Sequence, residues 1–169
     1  MNNKIYRGAL WAIIFLYMVI LIKLIFFKSQ LGSIDYHFEF HHNLTLWQNF
    51  IIANFTPFKG ILSVLKQGGK PEFIIQNLGG NILVFMPLGF LVPLLFPITW
   101  SFKRIIFTGF LTSFIFEMIQ LFAIMGSFDV DDILLNTLGT ALGYWVLTAA
   151  YRFFSVKFPG LHAGIEKLK

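Results

Sequence analysis

Four long runs of apolar residues constrain this chain more than any other feature of its sequence. They cover about residues 6–27, 73–97, 105–125 and 131–153. A helix needs about 20 mostly apolar residues to cross a bilayer, and each run reaches that length. Charged residues make up only 12% of the chain, against about 25% in soluble domains. The sequence therefore predicts an all-α, polytopic integral membrane protein with four transmembrane helices.

The segment between the first two runs, residues 28–72, is too polar to cross a bilayer. It contains two semi-apolar pieces, residues 44–55 and 58–65, separated by Pro57. Their aromatic residues indicate short helices that lie in the membrane interface. Neither a repeat nor a linker divides the chain, so we expect a single domain over residues 1–169. The absence of cysteine excludes disulfides, thiolate metal sites and a cysteine nucleophile.

The basic residues predict the orientation of the four helices. Eight lie on the side of the two termini, namely Lys4, Arg7, Lys103, Arg104, Arg152, Lys157, Lys167 and Lys169, and four on the opposite side, namely Lys28, Lys59, Lys66 and Lys70. Basic residues concentrate in cytoplasmic loops, so both termini are predicted to be cytoplasmic. Because these charges flank apolar runs, the net charge of +5 reflects topology, and we expect no nucleic-acid partner.

Polar residues recur at helical spacing inside the last three runs. The pairs are Asn77 with Asn81, Glu117 with Gln120, and Asp132 with Asn136. Residues three or four apart share one helix face. Asn81 and Glu117 each lie about eight residues from the outer end of their run, so roughly 12 Å deep. Charge inside a membrane span usually marks a functional site, and the sequence predicts one outward-facing polar pocket.

A purely structural role is the alternative to a functional site for these polar residues. Asn and Gln in membrane helices often only join helices by hydrogen bonds. In the turn before the fourth run, Asp131 or Asp132 is expected to cap the following helix, because carboxylates favour helix N-termini. Gly139 and Gly143 lie four residues apart, a spacing that permits close helix contact. We interpret it as packing within the chain.

Three motifs give the chain a family resemblance. They are Asn77-Leu-Gly-Gly-Asn81-Ile-Leu-Val-Phe85-Met-Pro87-Leu-Gly89-Phe90, Glu117-Met-Ile-Gln120, and Phe128-Asp129-Val-Asp131-Asp132-Ile-Leu-Leu-Asn136-Thr-Leu-Gly139. With a shorter motif, Asn54-Phe-Thr-Pro57-Phe58, they resemble the VanZ-like family over about residues 50–145. The resemblance implies a bacterial membrane protein that acts at the outer face, near peptidoglycan precursors or lipid. The founding member of the family is linked to teicoplanin resistance, and the resemblance implies no particular reaction.

Three functions fit these observations. The first is a binding protein whose pocket takes a lipoglycopeptide or a lipid-linked envelope precursor, surrounded by membrane lipids. Its predicted ligand-binding residues are Asn77, Asn81, Glu117, Gln120, Asp129, Asp131, Asp132 and Asn136. The second is an intramembrane enzyme with Glu117 as general base, in which Asp129, Asp131 and Asp132 hold Mg²⁺ or Ca²⁺. The third is a small proton-coupled transporter subunit. The residues favour the binding function over catalysis, and they do not exclude an enzyme.

Overall fold

The computed structural model describes residues 3–26, 44–66 and 75–157, without the side chains of residues 3, 76, 77 and 154–157. The remaining parts of the predicted 28–72 segment lie outside the described residues. Six α-helices follow one another: α1 (Asn3–Phe26), α2 (Leu46–Ile52), α3 (Lys59–Lys66), α4 (Gly80–Leu95), α5 (Phe102–Ala123) and α6 (Val130–Lys157). Within the described ranges there is no strand, only an isolated bridge between Asn54 and Asp129. The all-α prediction is confirmed for this part of the chain.

Three of these helices are long and apolar enough to cross a membrane. The candidate spans are Lys4–Phe26, Phe102–Ala123 and Val130–Phe153. The run predicted at 73–97 is divided instead into a π-helical turn, Ile75–Gly79, and the 16-residue helix α4. Phe96 takes an extended conformation, and Pro97 opens a short 3₁₀ turn. Helix α4 ends there because a proline disfavours the α conformation in the residue before it.

Glycines bring α4 and α6 into backbone contact. A Cβ atom on Gly143 would lie 1.9 Å from the carbonyl oxygen of Met86, and one on Gly139 would lie 2.2 Å from that of Ile82. In the other direction, a Cβ on Gly89 would lie 1.9 Å from the carbonyl oxygen of Thr140. Real Cβ atoms do not approach so closely, so only glycine fits at these positions. The interpretation of Gly139 and Gly143 as packing residues within the chain is confirmed.

Helix α1 packs on α4 through one side. Leu10, Ile14 and Leu21 are buried in a cluster that also contains Phe85 and Leu88 of α4. The Tyr17 hydroxyl donates a hydrogen bond to the carbonyl of Val84 across 3.0 Å. Most of the other side chains of α1 are exposed, as expected for a helix that faces lipid. This contact leaves the end of α1 beside the start of α4 and the last two turns of α5.

The short helices α2 and α3 dock on the turn between α5 and α6. Thr45 begins α2 with a capping box that involves Gln48. The buried amide of Asn49 donates to the carbonyls of Leu121 and Gly126, each across 2.9 Å. The Leu121 carbonyl lies in the last turn of α5, where no intrahelical partner remains, and the Gly126 carbonyl lies in the turn that follows. Helix α2 is therefore fixed against the end of α5.

Candidate functional site

A cavity of about 210 Å³ lies among α1, α4, α5 and α6. Leu24, Ile25, Gly80, Val84, Phe85 and Phe116 form its apolar walls, and its polar lining consists of Asn81, Glu117, Gln120, Asp132 and Asn136. Three separate runs of sequence thus contribute polar side chains to one space. The structure brings together five of the eight residues predicted to bind a ligand. Whether they bind one remains a prediction.

Helical spacing explains why the polar side chains share the cavity. Glu117 and Gln120 lie on one face of α5, and Asp132 and Asn136 on one face of α6. Asn81 stands in the first turn of α4 and donates its amide to the carboxylate of Asp132. This bond crosses from α4 to α6 where their glycines hold them close. The cavity geometry therefore depends on the backbone contact between these two helices.

Glu117 links the cavity to the turn after α5. Its side chain is 3% exposed, and Oε2 accepts a hydrogen bond from the backbone N–H of Asp129 across 2.8 Å. Its neighbour Gln120 donates to the carbonyl of Ile25 across 3.1 Å, which ties α5 to the end of α1. A buried carboxylate costs free energy unless hydrogen bonds stabilise it. Glu117 therefore positions the turn as well as lining the cavity.

Asn136 has a partner that the sequence analysis missed. Its amide donates to the Ser113 hydroxyl across 2.9 Å, and both side chains are buried. Thr140, one turn further along α6, is also fully buried and donates to the Asn136 carbonyl across 3.0 Å. A lone serine in an apolar run gave no signal, although Ser113 lies four residues before Glu117 and so on the same face. These contacts give Asn136 a helix-joining role.

Asp129 and Asp131 do not line the cavity. Asp129 precedes α6, and its Oδ1 accepts the backbone N–H of Asp131 across 2.8 Å, so Asp129 is the N-cap of that helix. The expectation that Asp131 or Asp132 caps α6 is wrong. Helix α6 begins at Val130, one residue earlier than expected, so Asp131 and Asp132 lie within its first turn.

Asp131 instead holds the start of α3. Its carboxylate is 2% exposed and accepts backbone N–H groups of Phe58, Gly60 and Ile61, the last two across 2.7 and 3.1 Å. Phe58 has a φ of 65°, a left-handed conformation that costs about 1–2 kcal/mol. The three hydrogen bonds to a charged acceptor offset this strain.

The motif around Asn54 meets the aspartate motif directly. The Asn54 backbone donates to the carbonyl of Phe128 and accepts from Val130, across 2.8 and 3.0 Å. Its side chain donates to Asp129 Oδ1 across 2.8 Å. Two short motifs that are 75 residues apart thus form one junction. The sequence showed both motifs but no signal that joined them.

The three aspartates do not form a metal site in the described part of the chain. No group of three or more His, Cys, Asp or Glu residues is placed there to hold a metal ion. Asp129 caps α6, Asp131 caps α3, and Asp132 accepts from Asn81 in the cavity. Asp129 and Asp131 both accept from the Asn54 amide, whereas Asp132 accepts from Asn81 in the cavity, so the three carboxylates are not arranged as joint ligands of one Mg²⁺ or Ca²⁺ ion. Asn77 lies in the π-helical turn, and its side chain lies outside the described residues.

Apolar helices of membrane-spanning length around a polar cavity define a helical membrane protein. Within that class the chain belongs to the VanZ-like family, because the sequence profile of VanZ/LLP1 matches residues 14–153. The chain is also similar to Protein VanZ of Enterococcus faecium, with 31% identity over 136 residues. That match covers 76% of this chain and 66% of the relative, so it spans slightly less than two thirds of the relative's length. No solved structure matches the chain.

Proposed function

We propose that the cavity binds one small polar group of a lipid-linked envelope precursor or lipid, and that this binding alters the action of teicoplanin-type lipoglycopeptides. The observation that carries the proposal is the convergence of Asn81, Glu117, Gln120, Asp132 and Asn136 on one cavity. Charged and amide groups are costly inside a membrane unless they pair or bind something. Family membership supplies the link to the envelope.

The size of the cavity favours a small group over a whole antibiotic. Pockets that bury drug-sized ligands measure about 300–1,000 Å³, and this cavity measures about 210 Å³. A glycopeptide is larger than a typical drug, whereas one headgroup or one amino-acid-sized moiety fits. The proposed effect on the antibiotic is therefore indirect, through the envelope component that the cavity holds.

The proposal places the protein in the bacterial cell membrane with four crossings. Helix α4 has 16 residues, about 24 Å at 1.5 Å per residue, and the π-helical turn before it adds length. Together they approach the roughly 30 Å of a hydrocarbon core. Helices α2 and α3 would then lie in the outer interface, and both termini would be cytoplasmic.

The experiment expresses the chain in a susceptible Gram-positive host and measures teicoplanin susceptibility and teicoplanin binding to cells. Glu117→Gln and Asp132→Asn remove charge from the cavity and keep side-chain shape. We expect both to abolish any protection that the parent chain gives, at unchanged protein abundance. Susceptibility that is the same with and without the parent chain, with unchanged drug binding, would defeat the proposal.

Thr137→Val is the matched control for this experiment. Thr137 follows Asn136 on α6, does not line the cavity, and donates only within its helix, to the carbonyl of Ile133 across 2.7 Å. We expect this variant to behave like the parent chain. A loss of protection in Thr137→Val equal to that in Asp132→Asn would show that the effect comes from helix α6 in general.

A further inference from the structure

Residues 44–66 expose many large apolar side chains. They include Trp47, Phe50, Ile51, Phe55, Phe58, Leu62 and Leu65, with Trp47 70% exposed and Ile51 64% exposed. Helices α2 and α3 have seven and eight residues, so they reach only about 10–12 Å and cannot cross a bilayer. Aromatic side chains of this kind favour the boundary between headgroups and acyl chains.

The only charged residues between positions 44 and 66 are Lys59 and Lys66. Both are exposed, and they line one shallow groove of about 440 Å³ with Leu62 and Ser63. These four positions share one face of α3 because they are spaced three, four and seven residues apart. The groove thus combines two cationic groups and a hydroxyl with an apolar residue. This chemistry complements an anionic phosphate that is joined to an acyl chain.

The start of α3 is already occupied by a carboxylate. Asp131 accepts the N–H groups of Phe58, Gly60 and Ile61, which are the donors that a helix N-terminus would otherwise offer to an anion. A phosphate at α3 must therefore use the lysine face. The same hydrogen bonds fix the helix on α6, so that face has a defined direction relative to the bundle.

We propose that the groove of Lys59, Leu62, Ser63 and Lys66 binds the phosphate of an anionic phospholipid. The inference rests on the interfacial placement of α3 that is proposed above. Each lysine near an anionic membrane surface is attracted to that surface by the negative charge of the lipids, whichever anionic lipid carries it. The occupant is a phospholipid because most of the other exposed side chains of residues 44–66 are apolar, and an acyl chain can pack against them.

The test uses the full chain in nanodiscs, with a bimane fluorophore on a single cysteine introduced by Leu65→Cys. The chain has no cysteine of its own, so the label is unique. Bimane quenching is compared between brominated phosphatidylglycerol and brominated phosphatidylcholine at equal mole fraction. We expect stronger quenching by phosphatidylglycerol, and a preference that falls by about tenfold in K59Q/K66Q and weakens with salt.

The control K103Q/R104Q removes the same charge from the start of α5 and should keep the preference at position 65. Equal quenching by both lipids in the parent chain would overturn the proposal, as would a preference that survives K59Q/K66Q. Displacement of phosphatidylglycerol by equimolar prenyl pyrophosphate would replace the phospholipid with a lipid-linked precursor. Asp132→Asn, which changes the cavity, should leave the quenching unchanged, so failure at this groove is distinct from failure at the cavity.

Discussion

Neighbouring aspartates in one turn have different tasks in this protein. Asp131 accepts three backbone N–H groups at the start of α3, whereas Asp132 faces the cavity and accepts the amide of Asn81. Sequence spacing predicted one pocket for the paired polar residues of the last three runs, and Asn81, Glu117 and Asn136 do line one cavity, because helix periodicity sets which face they occupy. It could not reveal the role of Asp131, whose partners are backbone groups 70 to 73 residues away.

Because Asp131 and Asp132 have different partners, substitutions at the two positions should lower the free energy of unfolding by different amounts. Asp131→Ala removes a buried charged acceptor and should lower the free energy of unfolding by about 2 kcal/mol. Asp132→Asn keeps a carbonyl that can accept from Asn81 and should lower it by less than half as much. Denaturation in mixed micelles, followed by circular dichroism, measures both variants. Equal losses would contradict the assignment of Asp131 as the cap of α3.

At the level of elements, the contact between α4 and α6 determines where the cavity forms. Gly143→Ala places a Cβ against the Met86 carbonyl, and overpacking of this kind costs about 1–3 kcal/mol. We expect a lower unfolding temperature and a loss of any activity that depends on the cavity. Thermal unfolding in detergent measures the effect.

Gly8→Ala is the control for this substitution. Gly8 lies inside α1, and a Cβ there meets nothing within 4 Å among the described residues. Replacing a helical glycine by alanine then stabilises by up to about 1 kcal/mol, so the two variants should shift in opposite directions. A Gly143→Ala protein as stable as the parent would show that α4 and α6 do not pack through their backbones.

The sequence predicted the elements better than their assembly. Apolar length identified α1, α5 and α6, and Pro57 correctly separated α2 from α3. The start of α4 was predicted too early, because an apolar run does not distinguish a π-helical turn from an α-helix. The docking of α2 on α5 depends on Asn49, a single polar residue in a semi-apolar piece. The sequence does not show whether the side chain of such a residue is buried or exposed.

For the whole molecule, the arrangement of basic residues predicts that the turn after α5 is outside the cell. Cysteines introduced singly at Ser127 and Ser101 should therefore differ in intact cells. An impermeant maleimide should label position 127 and spare position 101, because cytoplasmic loops carry the excess of Lys and Arg. Permeabilised cells, in which both sites should react, supply the control. Labelling at position 101 alone would reverse the topology and place the cavity on the inner side.

The contact of Asn54 with Asp129 also determines when α3 can dock during biosynthesis. The two residues are 75 positions apart, and ribosomes add about 5–20 residues per second. Roughly 4–15 s therefore pass between the synthesis of α3 and that of Asp131, which caps it. During that interval the first turn of α3 has no carboxylate partner from α6. Docking of α3 on the bundle therefore follows the synthesis of the start of α6.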